Sequence, residues 1–346
     1  HPAEATLAKL MCDRFGIERV RFTNSGTEAN LLAMTTAVLA TGRTKILVFK
    51  GGYHGSVFYF ASGAAPWNAP FDFVMTPFND EQAARNVIKE LGETLAAVVV
   101  EPMLGSGGCI AATSSFLSSV FEAARSVGAV CIADEVMTGF GRTGVGSQSG
   151  DRFHAFATQH EGVVPDLLAL AKGLTGGYLP MAATLTTQAI FDSFLGDYAD
   201  FRTFFHGHSY TGNALGAAAS LASVGLLSAP AGVRRRRALE VAFQTELEIL
   251  WRHPNVGDVR RVGLVAGIEL VRDWRQRTPF RLEERVGIRV CEAMARRGVL
   301  TRPIGSVIAL MPPYCTTQSQ LRRMVSALAA SLEEVFPQSA CSAPGS

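Results

Sequence analysis

The segment from residue 95 to residue 136 reads LAAVVVEPMLGSGGCIAATSSFLSSVFEAARSVGAVCIADEV, and this stretch decides the fold. It contains two continuous apolar runs, Leu95–Val100 and 129–133, and between them residues 116–127 place apolar side chains at helical spacing. Strands that are apolar along their whole length are buried on both faces, which is typical of parallel strands covered by helices. The segment therefore predicts two strands of a mostly parallel sheet, connected by a helix.

The same alternation of strand and helix patterns extends along the first two-thirds of the chain. Further strands are predicted at 19–23, 45–49 and 167–171, and helices at 1–15 and 28–40. Together these elements predict an α/β fold. Its large domain covers residues 1–227, with a mostly parallel sheet sandwiched by helices.

A different pattern begins after residue 227, where SAPAG (228–232) marks a boundary. The elements predicted beyond it are a charged helix to about residue 251, a strand at 264–270, a helix at 282–297, a strand pair around 306–311 and a helix at 318–335. They predict a smaller C-terminal α+β domain over residues 228–336. The small polar residues 337–346 predict a disordered tail.

The composition excludes several classes of protein. With 48% hydrophobic residues and a net charge of +2, the 346-residue chain fits neither a disordered protein nor a dedicated nucleic-acid or membrane-surface protein. The run Arg234–Arg237 is interpreted as a solvated helix face in preference to an anion site. No apolar run has the length of a membrane span, and neither a membrane span nor a signal peptide is expected. Because the chain begins inside a predicted helix, we expect a truncated sequence.

The cysteines predict a reducing environment. Six of them are scattered without a C-x-x-C pair or a cluster with histidine that would suit a metal. This usage favours a cytoplasmic protein over a disulfide framework, and no metal site is expected. Cys131, within an apolar run, is expected to be a buried thiol.

Three polar motifs directly follow predicted strands, at the edge where open parallel sheets bind ligands. The first, NSGTE (24–28), could bind an anion at a helix N-terminus or only cap that helix, and capping is the more common role. The second contains Asp134, a carboxylate that could keep a ring nitrogen protonated, bind a metal or cap the next helix. The third contains Lys172, whose apolar neighbours Leu170 and Ala171 predict desolvation, a lowered pKa and a usable nucleophile.

Each motif alone has a simpler explanation, and a lone lysine at a strand end is usually a surface residue. The joint occurrence of an anion-binding turn, an acid and a lysine at strand ends favours a catalytic site. Tyr53 and His54, in GGYHG (51–55), could stack on a planar cofactor or belong to an ordinary glycine-rich turn. Arg302 suits a substrate carboxylate, although surface ion pairing is the usual role of such an arginine.

Taken together, six motifs resemble the class III aminotransferases, which are enzymes of fold type I that use pyridoxal 5′-phosphate (PLP). The motifs are NSGTEAN (24–30), GGYHG (51–55), VEP (100–102), ADEV (133–136), PDLLALAKGLTGGYLP (165–180) and HGHSYTGN (206–213). The resemblance extends to about residue 336, and the combination of D-E-V with A-K-G at this spacing is specific. It implies a large domain with a seven-stranded type of sheet and a smaller C-terminal domain.

The resemblance also implies a role for each candidate residue. Lys172 would form the Schiff base with PLP and move a proton, and Asp134 would pair with the pyridine nitrogen. The other cofactor contacts that it implies are Val136 on one ring face, Tyr53 on the other with His54 beside it, and Ser25, Gly26 and Thr27 at the phosphate.

The HGHSYTGN segment implies a homodimer with shared active sites, because in this family it reaches into the partner subunit. There His208 and Ser209 would contact the phosphate, and Gly207 would lie near the substrate. Tyr53 and Arg302 are the other expected substrate contacts, with Arg302 matching a carboxylate-binding arginine. The partners are then an amino donor and a keto or aldehyde acceptor.

Two parts of the chain resemble different subfamilies. Residues 1–138 resemble β-amino-acid aminotransferases and glutamate-1-semialdehyde aminomutases. Later segments, among them GFGRTG (139–144) and RPIGSVIALMPPY (302–314), resemble diaminopelargonic acid aminotransferase of biotin synthesis. Ser106 stands where ornithine and GABA aminotransferases have a glutamate, which disfavours those two substrates. We also expect the N-terminal segment that supplies pocket aromatics in the biotin enzyme to be missing.

These resemblances predict a transaminase of the diaminopelargonic acid type. The alternatives are a β- or ω-amino-acid transaminase, a 2,1-aminomutase of the glutamate-1-semialdehyde type, and a catalytically silent relative.

Overall fold

The computed structural model describes residues 1–61, 66–113, 115–144, 156–160 and 162–337, and it divides the chain into two compact units. The first contains His1–Gly107 and Ala111–Val233, and the second contains Gly108–Ile110 and the chain from Arg234 onward. The units divide between Val233 and Arg234, inside a helix, whereas the sequence predicted a boundary after residue 227. Except for Pro337, the predicted tail lies outside the described residues.

A seven-stranded sheet forms the centre of the first unit. Its strands, in chain order, are β1 (Arg19–Thr23), β2 (Lys45–Phe49), β3 (Asp72–Thr76), β4 (Leu95–Val100), β5 (Val130–Asp134), β6 (Leu167–Leu170) and β7 (Ala182–Thr186). Across the sheet the order is β1-β7-β6-β5-β4-β2-β3. Only β7 is antiparallel to its neighbours β1 and β6, so the predicted mostly parallel sheet is confirmed.

Helices cover this sheet. They are α1 (Pro2–Phe15), α2 (Gly26–Thr41), α3 (Glu81–Leu91), α4 (Phe116–Ser126), α5 (Ala157–His160), α6 (Gln188–Asp192) and α7 (Ala214–Ser228). Helix α2 packs across β1, β7, β6, β5 and β4, whereas α4 packs on β4 and β5. All six side chains of β4 are buried, as the uninterrupted apolar run predicted. Cys131 of β5 is buried with a free thiol, also as predicted.

The second unit combines an antiparallel sheet with helices. The longer strands and the helices are α8 (Pro230–Leu247), β8 (Val256–Val262), β9 (Val265–Asp273), α9 (Val286–Arg296), β10 (Val307–Leu310) and α10 (Gln318–Val335). Strands β8, β9 and β10 are antiparallel neighbours in that order. Apolar side chains of this sheet and of α8, α9 and α10 form one core.

Several short elements complete the described structure. Two-residue strands lie at Met103–Leu104, Ile110–Ala111, Thr278–Pro279 and Pro303–Ile304, and 3₁₀ turns at Gly92–Thr94, Lys172–Thr175, Tyr198–Asp200, Glu248–Arg252 and Leu282–Glu284. Within the described ranges, no single helix is long and apolar enough to cross a membrane. One bent pair, Ala214–Ser228 with Pro230–Arg252, meets the criteria of length and composition only when taken together.

Candidate active site

The ends of β5 and β6 place the predicted acid and the predicted lysine at one edge of the sheet. These strands are parallel, and Asp134 is paired with Ala169, three residues before Lys172. The pairing continues beyond β5, because the backbone N–H of Glu135 donates to the Ala169 carbonyl at 3.0 Å. Since parallel strands end at the same edge, Asp134 and Lys172 lie on the side where such sheets bind ligands.

Asp134 is a buried carboxylate, only 4% exposed, that three groups hold in place. Its Oδ2 accepts from Asn30 Nδ2 at 2.8 Å and lies 2.8 Å from His54 Nδ1. Its Oδ1 accepts from the backbone N–H of Val136 at 3.0 Å. A carboxylate with this many partners is oriented in one direction, and its burial is compensated.

His54, which the sequence predicted as a cofactor contact beside Tyr53, lies against Asp134. Burial lowers the pKa of His54, but the hydrogen bond and charge of Asp134, together with the charge of Glu101, outweigh burial and raise the pKa above its ordinary value. The contact with Asp134 therefore favours the protonated form of the His54 imidazole. Asn30 also holds this histidine, because its Nδ2 donates to the His54 carbonyl at 3.1 Å.

Glu101 is a second buried acid, and sequence reasoning assigned it no role beyond the VEP motif. Its Oε1 accepts from the backbone N–H of Tyr53 at 2.9 Å, and its Oε2 accepts from the N–H of Gly105 at 3.2 Å. Burial raises the pKa of Glu101 to about 7, and the charge of Asp134 raises it too, whereas His54 and the two backbone hydrogen bonds lower it. The sequence signal that could have identified Glu101 is the position of an acid directly after the fully buried strand β4.

Tyr53 presents its ring at the surface of the first unit. The ring is 40% exposed and contacts Tyr59 edge-on, with centroids 5.7 Å apart. The backbones of these two residues also form an isolated antiparallel bridge. Together with Glu101, this bridge fixes the tyrosine in a turn, and stacking of its ring on a cofactor stays a prediction.

Lys172 begins the 3₁₀ turn Lys172–Thr175 with φ of 44°, in the left-handed region. Its side chain is exposed, so the predicted desolvation of Lys172 is wrong for the single chain. The physical reason is that β6 ends at Leu170 and the chain turns after Ala171, so these two residues are buried and the lysine is not. The next residue, Gly173, has no side chain and lets the turn pack closely on the Phe140 ring. A Cβ at this position would lie only 2.9 Å from Cβ of Phe140.

The N-terminus of α2 begins with Ser25, which caps the helix by accepting the N–H of Glu28 at 3.2 Å. The capping interpretation is therefore confirmed for Ser25. A Cβ at Gly26 would lie only 2.8 Å from a methyl group of Val136, so glycine is what allows the helix start to contact the residue beside Asp134. Thr27 Oγ1 accepts the N–H of Ser56 at 3.3 Å, which connects the helix start to the GGYHG turn.

The residues Gly207, His208 and Ser209 lie in an exposed segment of the first unit. His208 Nδ1 lies 2.9 Å from Asn24 Nδ2, and the N–H of Tyr210 points to the same nitrogen at 3.3 Å. The segment therefore contacts the helix start within its own chain. The predicted contribution of these residues to a partner subunit stays a prediction.

Arg302 belongs to the second unit and directly precedes Pro303–Ile304. Its side chain is exposed, and its carbonyl accepts the N–H of Ala309 at 3.5 Å. Its role at a substrate carboxylate stays a prediction. In the described part of the chain, no group of three or more His, Cys, Asp or Glu side chains is arranged to hold a metal ion.

The sheet with its one reversed strand, the buried acid that ends β5 and the lysine that follows β6 define a class of protein, the fold type I PLP enzymes. The family profile described as aminotransferase class-III matches residues 1–332. The chain belongs to the class III aminotransferase family.

Comparison with known proteins gives the same class. The adenosylmethionine-8-amino-7-oxononanoate aminotransferase of Nitratidesulfovibrio vulgaris is 40% identical over 345 residues, covering 90% of this chain and 62% of that protein. The β-phenylalanine transaminase of Variovorax paradoxus is 41% identical over 230 residues, covering 70% of this chain and 51% of that protein. The crystal structure of adenosylmethionine-8-amino-7-oxononanoate aminotransferase from Methanocaldococcus jannaschii superposes with a TM-score of 0.88 at 32% identity, over 96% of this chain and 79% of that one. The chain thus spans less than two-thirds of the length of both sequence relatives.

Proposed function

We propose that the chain is a PLP-dependent transaminase that moves an amino group between an amino donor and a keto or aldehyde acceptor. The observation that carries this proposal is the pairing of Asp134 with Ala169, because it sets a buried carboxylate and an accessible lysine at the same edge of two adjacent parallel strands. Family membership adds the chemistry, since class III aminotransferases carry PLP.

The residues present fit this cofactor. Asp134 offers a buried carboxyl group to a protonated ring nitrogen, and its three partners hold it in place. Lys172 Nζ is accessible at the neighbouring strand end, as a covalent link to an aldehyde requires. The start of α2 provides free backbone N–H groups and the positive end of the helix dipole for a phosphate.

When bound, PLP supplies an electron sink for the negative charge that develops at the substrate Cα. The chain would add two functions to this chemistry. Asp134, oriented by Asn30, His54 and the N–H of Val136, would hold the proton on the pyridine nitrogen. Lys172 would hold the cofactor through its Nζ, and the same amine would move a proton to and from the substrate Cα.

The remaining contacts are assigned by position. Val136, which packs beside Gly26, would contact one face of the ring, and Tyr53 would cover the other. The phosphate would contact Ser25, Gly26 and Thr27. We further propose a homodimer in which His208 and Ser209 reach the partner's phosphate and Gly207 lies near its substrate. The exposure of this segment in the single chain supports that arrangement.

For the substrate, we propose the diaminopelargonic acid type of reaction, supported by the relatives from N. vulgaris and M. jannaschii. Arg302 would then bind a carboxylate. The second candidate is a β-amino-acid transaminase, because the V. paradoxus relative is equally similar over its shorter match. A cytoplasmic setting stays a prediction from the scattered cysteines.

Borohydride reduction of the PLP-loaded chain tests the cofactor assignment without any turnover. We expect a stable adduct, located by peptide mass spectrometry at Lys172 and lost in Lys172→Ala. Lys50→Ala is the matched control, because Lys50 is also an exposed lysine directly after a parallel strand, β2. An adduct that survives in Lys172→Ala, or that disappears in Lys50→Ala, contradicts the assignment.

The substrate proposal is tested separately by half-reactions. The PLP-loaded chain would be mixed with S-adenosylmethionine or with β-phenylalanine, and the change in the visible spectrum of the cofactor would be followed. Conversion by S-adenosylmethionine alone supports the first candidate, and conversion by β-phenylalanine alone supports the second. Conversion by neither contradicts both.

A further inference from the structure

A cavity that we call the α6 cavity lies at the edge of the same sheet where strand β6 begins. Asp134 and Lys172 lie at the opposite edge. The cavity has a volume of about 460 Å³, and its wall includes the first residue of β6, Leu167, and the last residue of the reversed strand β7, Thr186. Lys172 follows the other end of β6. At roughly 3.3 Å per residue, the four residues of β6 separate the two sites by at least about 10 Å. The α6 cavity is therefore distinct from the candidate active site.

Most of the wall of the α6 cavity is apolar. The apolar side chains that line it include Leu32, Ile190, Phe191, Phe194, Leu195 and Phe204. Leu32 is fully buried beneath it, whereas Phe191 and Leu195 are 40% and 52% exposed and border its opening. A volume in the range of a few hundred Å³, an apolar lining and a few polar groups are the usual properties of a small-molecule site.

The polar groups of the α6 cavity lie together on one face of the sheet. Arg19 is the cross-strand partner of Thr186, and Arg21 is that of Thr184. Directly opposed residues have neighbouring side chains, so the guanidinium of Arg19 and the hydroxyl of Thr186 can meet one ligand. Both arginines also contact the aromatic wall, with Arg19 5.0 Å from the Phe191 ring centroid and Arg21 6.0 Å from that of Phe204.

Two features of this polar group indicate an anionic ligand. Arg19 and Arg21 are both exposed, Arg21 donates to the His206 carbonyl, and neither forms an ion pair with a carboxylate among the described residues. The hydroxyl oxygen of Thr186 is buried and has no hydrogen-bond partner in the part of the chain that the structure describes. A buried hydroxyl without a partner is energetically costly, so a ligand that accepts a hydrogen bond from it is favoured.

We propose that the α6 cavity binds a small amphipathic carboxylate. The carboxylate accepts hydrogen bonds from the Thr186 hydroxyl and the Arg19 guanidinium, whose planar fork matches a carboxylate. The hydrocarbon part lies among the aromatic side chains of Phe191, Phe194 and Phe204. The site takes its ligand independently of the reaction at Lys172.

Calorimetric titration of the PLP-loaded chain with octanoate tests this site. We expect binding by octanoate and affinity on the order of tenfold lower for octanol, which has the same chain length but no charge. Equal affinity for the two probes, or no binding of octanoate, overturns the proposal.

Variants place the binding within the chain. Arg19→Gln and Thr186→Val should each weaken octanoate binding, Arg19→Gln by on the order of tenfold. The matched control is Lys89→Gln, which removes the same charge from α3, the helix that packs on the edge strand β3 at the far side of the sheet. Lys172→Ala should bind octanoate as the parent chain does.

Two results would overturn the assignment to this cavity. One is octanoate binding that is lost in Lys172→Ala but retained in both cavity variants, because this locates the ligand at the active site. The other is an equal loss in Lys89→Gln and Arg19→Gln, because this shows a nonspecific effect of charge. If Arg19→Gln fails to fold, as judged by circular dichroism, Thr186→Val alone decides, since valine has nearly the shape of threonine.

Discussion

The substitution Asn30→Leu tests the geometry on which the active-site proposal rests. Asn30 is 1% exposed, and its Nδ2 donates both to Asp134 and to the His54 carbonyl. Losing the hydrogen bond to the charged carboxylate costs about 1.5–3 kcal/mol, and leaving a buried carbonyl unpaired costs about 1–3 kcal/mol. The change also removes Asn30 Oδ1, a buried atom without a partner in the described structure. Removing this unpaired atom stabilises the folded state by about 1–3 kcal/mol. The net loss in the free energy of unfolding is about 2–3 kcal/mol.

Urea unfolding of the cofactor-free chain, followed by circular dichroism, measures this loss. Asn86→Leu is the control, because it removes the side-chain amide of an exposed asparagine whose Oδ1 accepts from Gln82 at 2.8 Å. We expect its effect to stay within about 0.5 kcal/mol. If Asn30→Leu unfolds at the same urea concentration as Asn86→Leu, the buried network contributes no stability and the reasoning fails.

Two further predictions concern the buried acids. In Asp134→Asn the pKa of His54 should fall, because the hydrogen bond and charge that raise it are weakened or removed while burial still lowers it. Histidine NMR titration measures this pKa, and an unchanged value contradicts the pairing. For Glu101, whose folded pKa of about 7 lies above the ordinary value of 4.5, ionisation disfavours the folded state, so stability should be lost as the pH rises from about 4.5 to 7. The loss is on the order of 3 kcal/mol at 1.36 kcal/mol per pKa unit, and Glu101→Gln should lack it; parallel pH profiles of urea unfolding for the two proteins would contradict this prediction.

Much of the fold could be predicted because buried strands and amphipathic helices leave strong patterns. The predicted bounds of β1, β2, β4 and α10 coincide with those of the structure. Three of the longer strands were missed, among them the edge strand β3 (DFVMT), whose side chains are mostly half-buried. β7 contains alanine and threonine without a long apolar run, and β8, with the sequence VGDVRRV, has mostly half-buried side chains. The direction of β7 depends on its connections, which composition does not record.

The residues of the candidate site could be predicted from the sequence, but the contacts between them could not. Asp134 and Lys172 could be located because each directly follows an apolar strand. The contact of Asp134 with Asn30 joins residues 104 positions apart, and it depends on side-chain orientations that only the packed helix fixes. The exposure of Lys172 was missed because apolar neighbours indicate where a strand lies and do not indicate how the chain turns after it.

Helix α2 connects the two ends of the proposed cofactor site through one rigid element. Its first residue, Gly26, lies beside Val136, and Asn30, four residues later, holds Asp134. Four residues advance a helix by about 6 Å and return the side chain to nearly the same face. Adding a single residue between these positions would rotate Asn30 by about 100° and leave the acid without its donor. In redesigning this scaffold for a differently sized cofactor, the helix start is therefore a position where length cannot be varied freely.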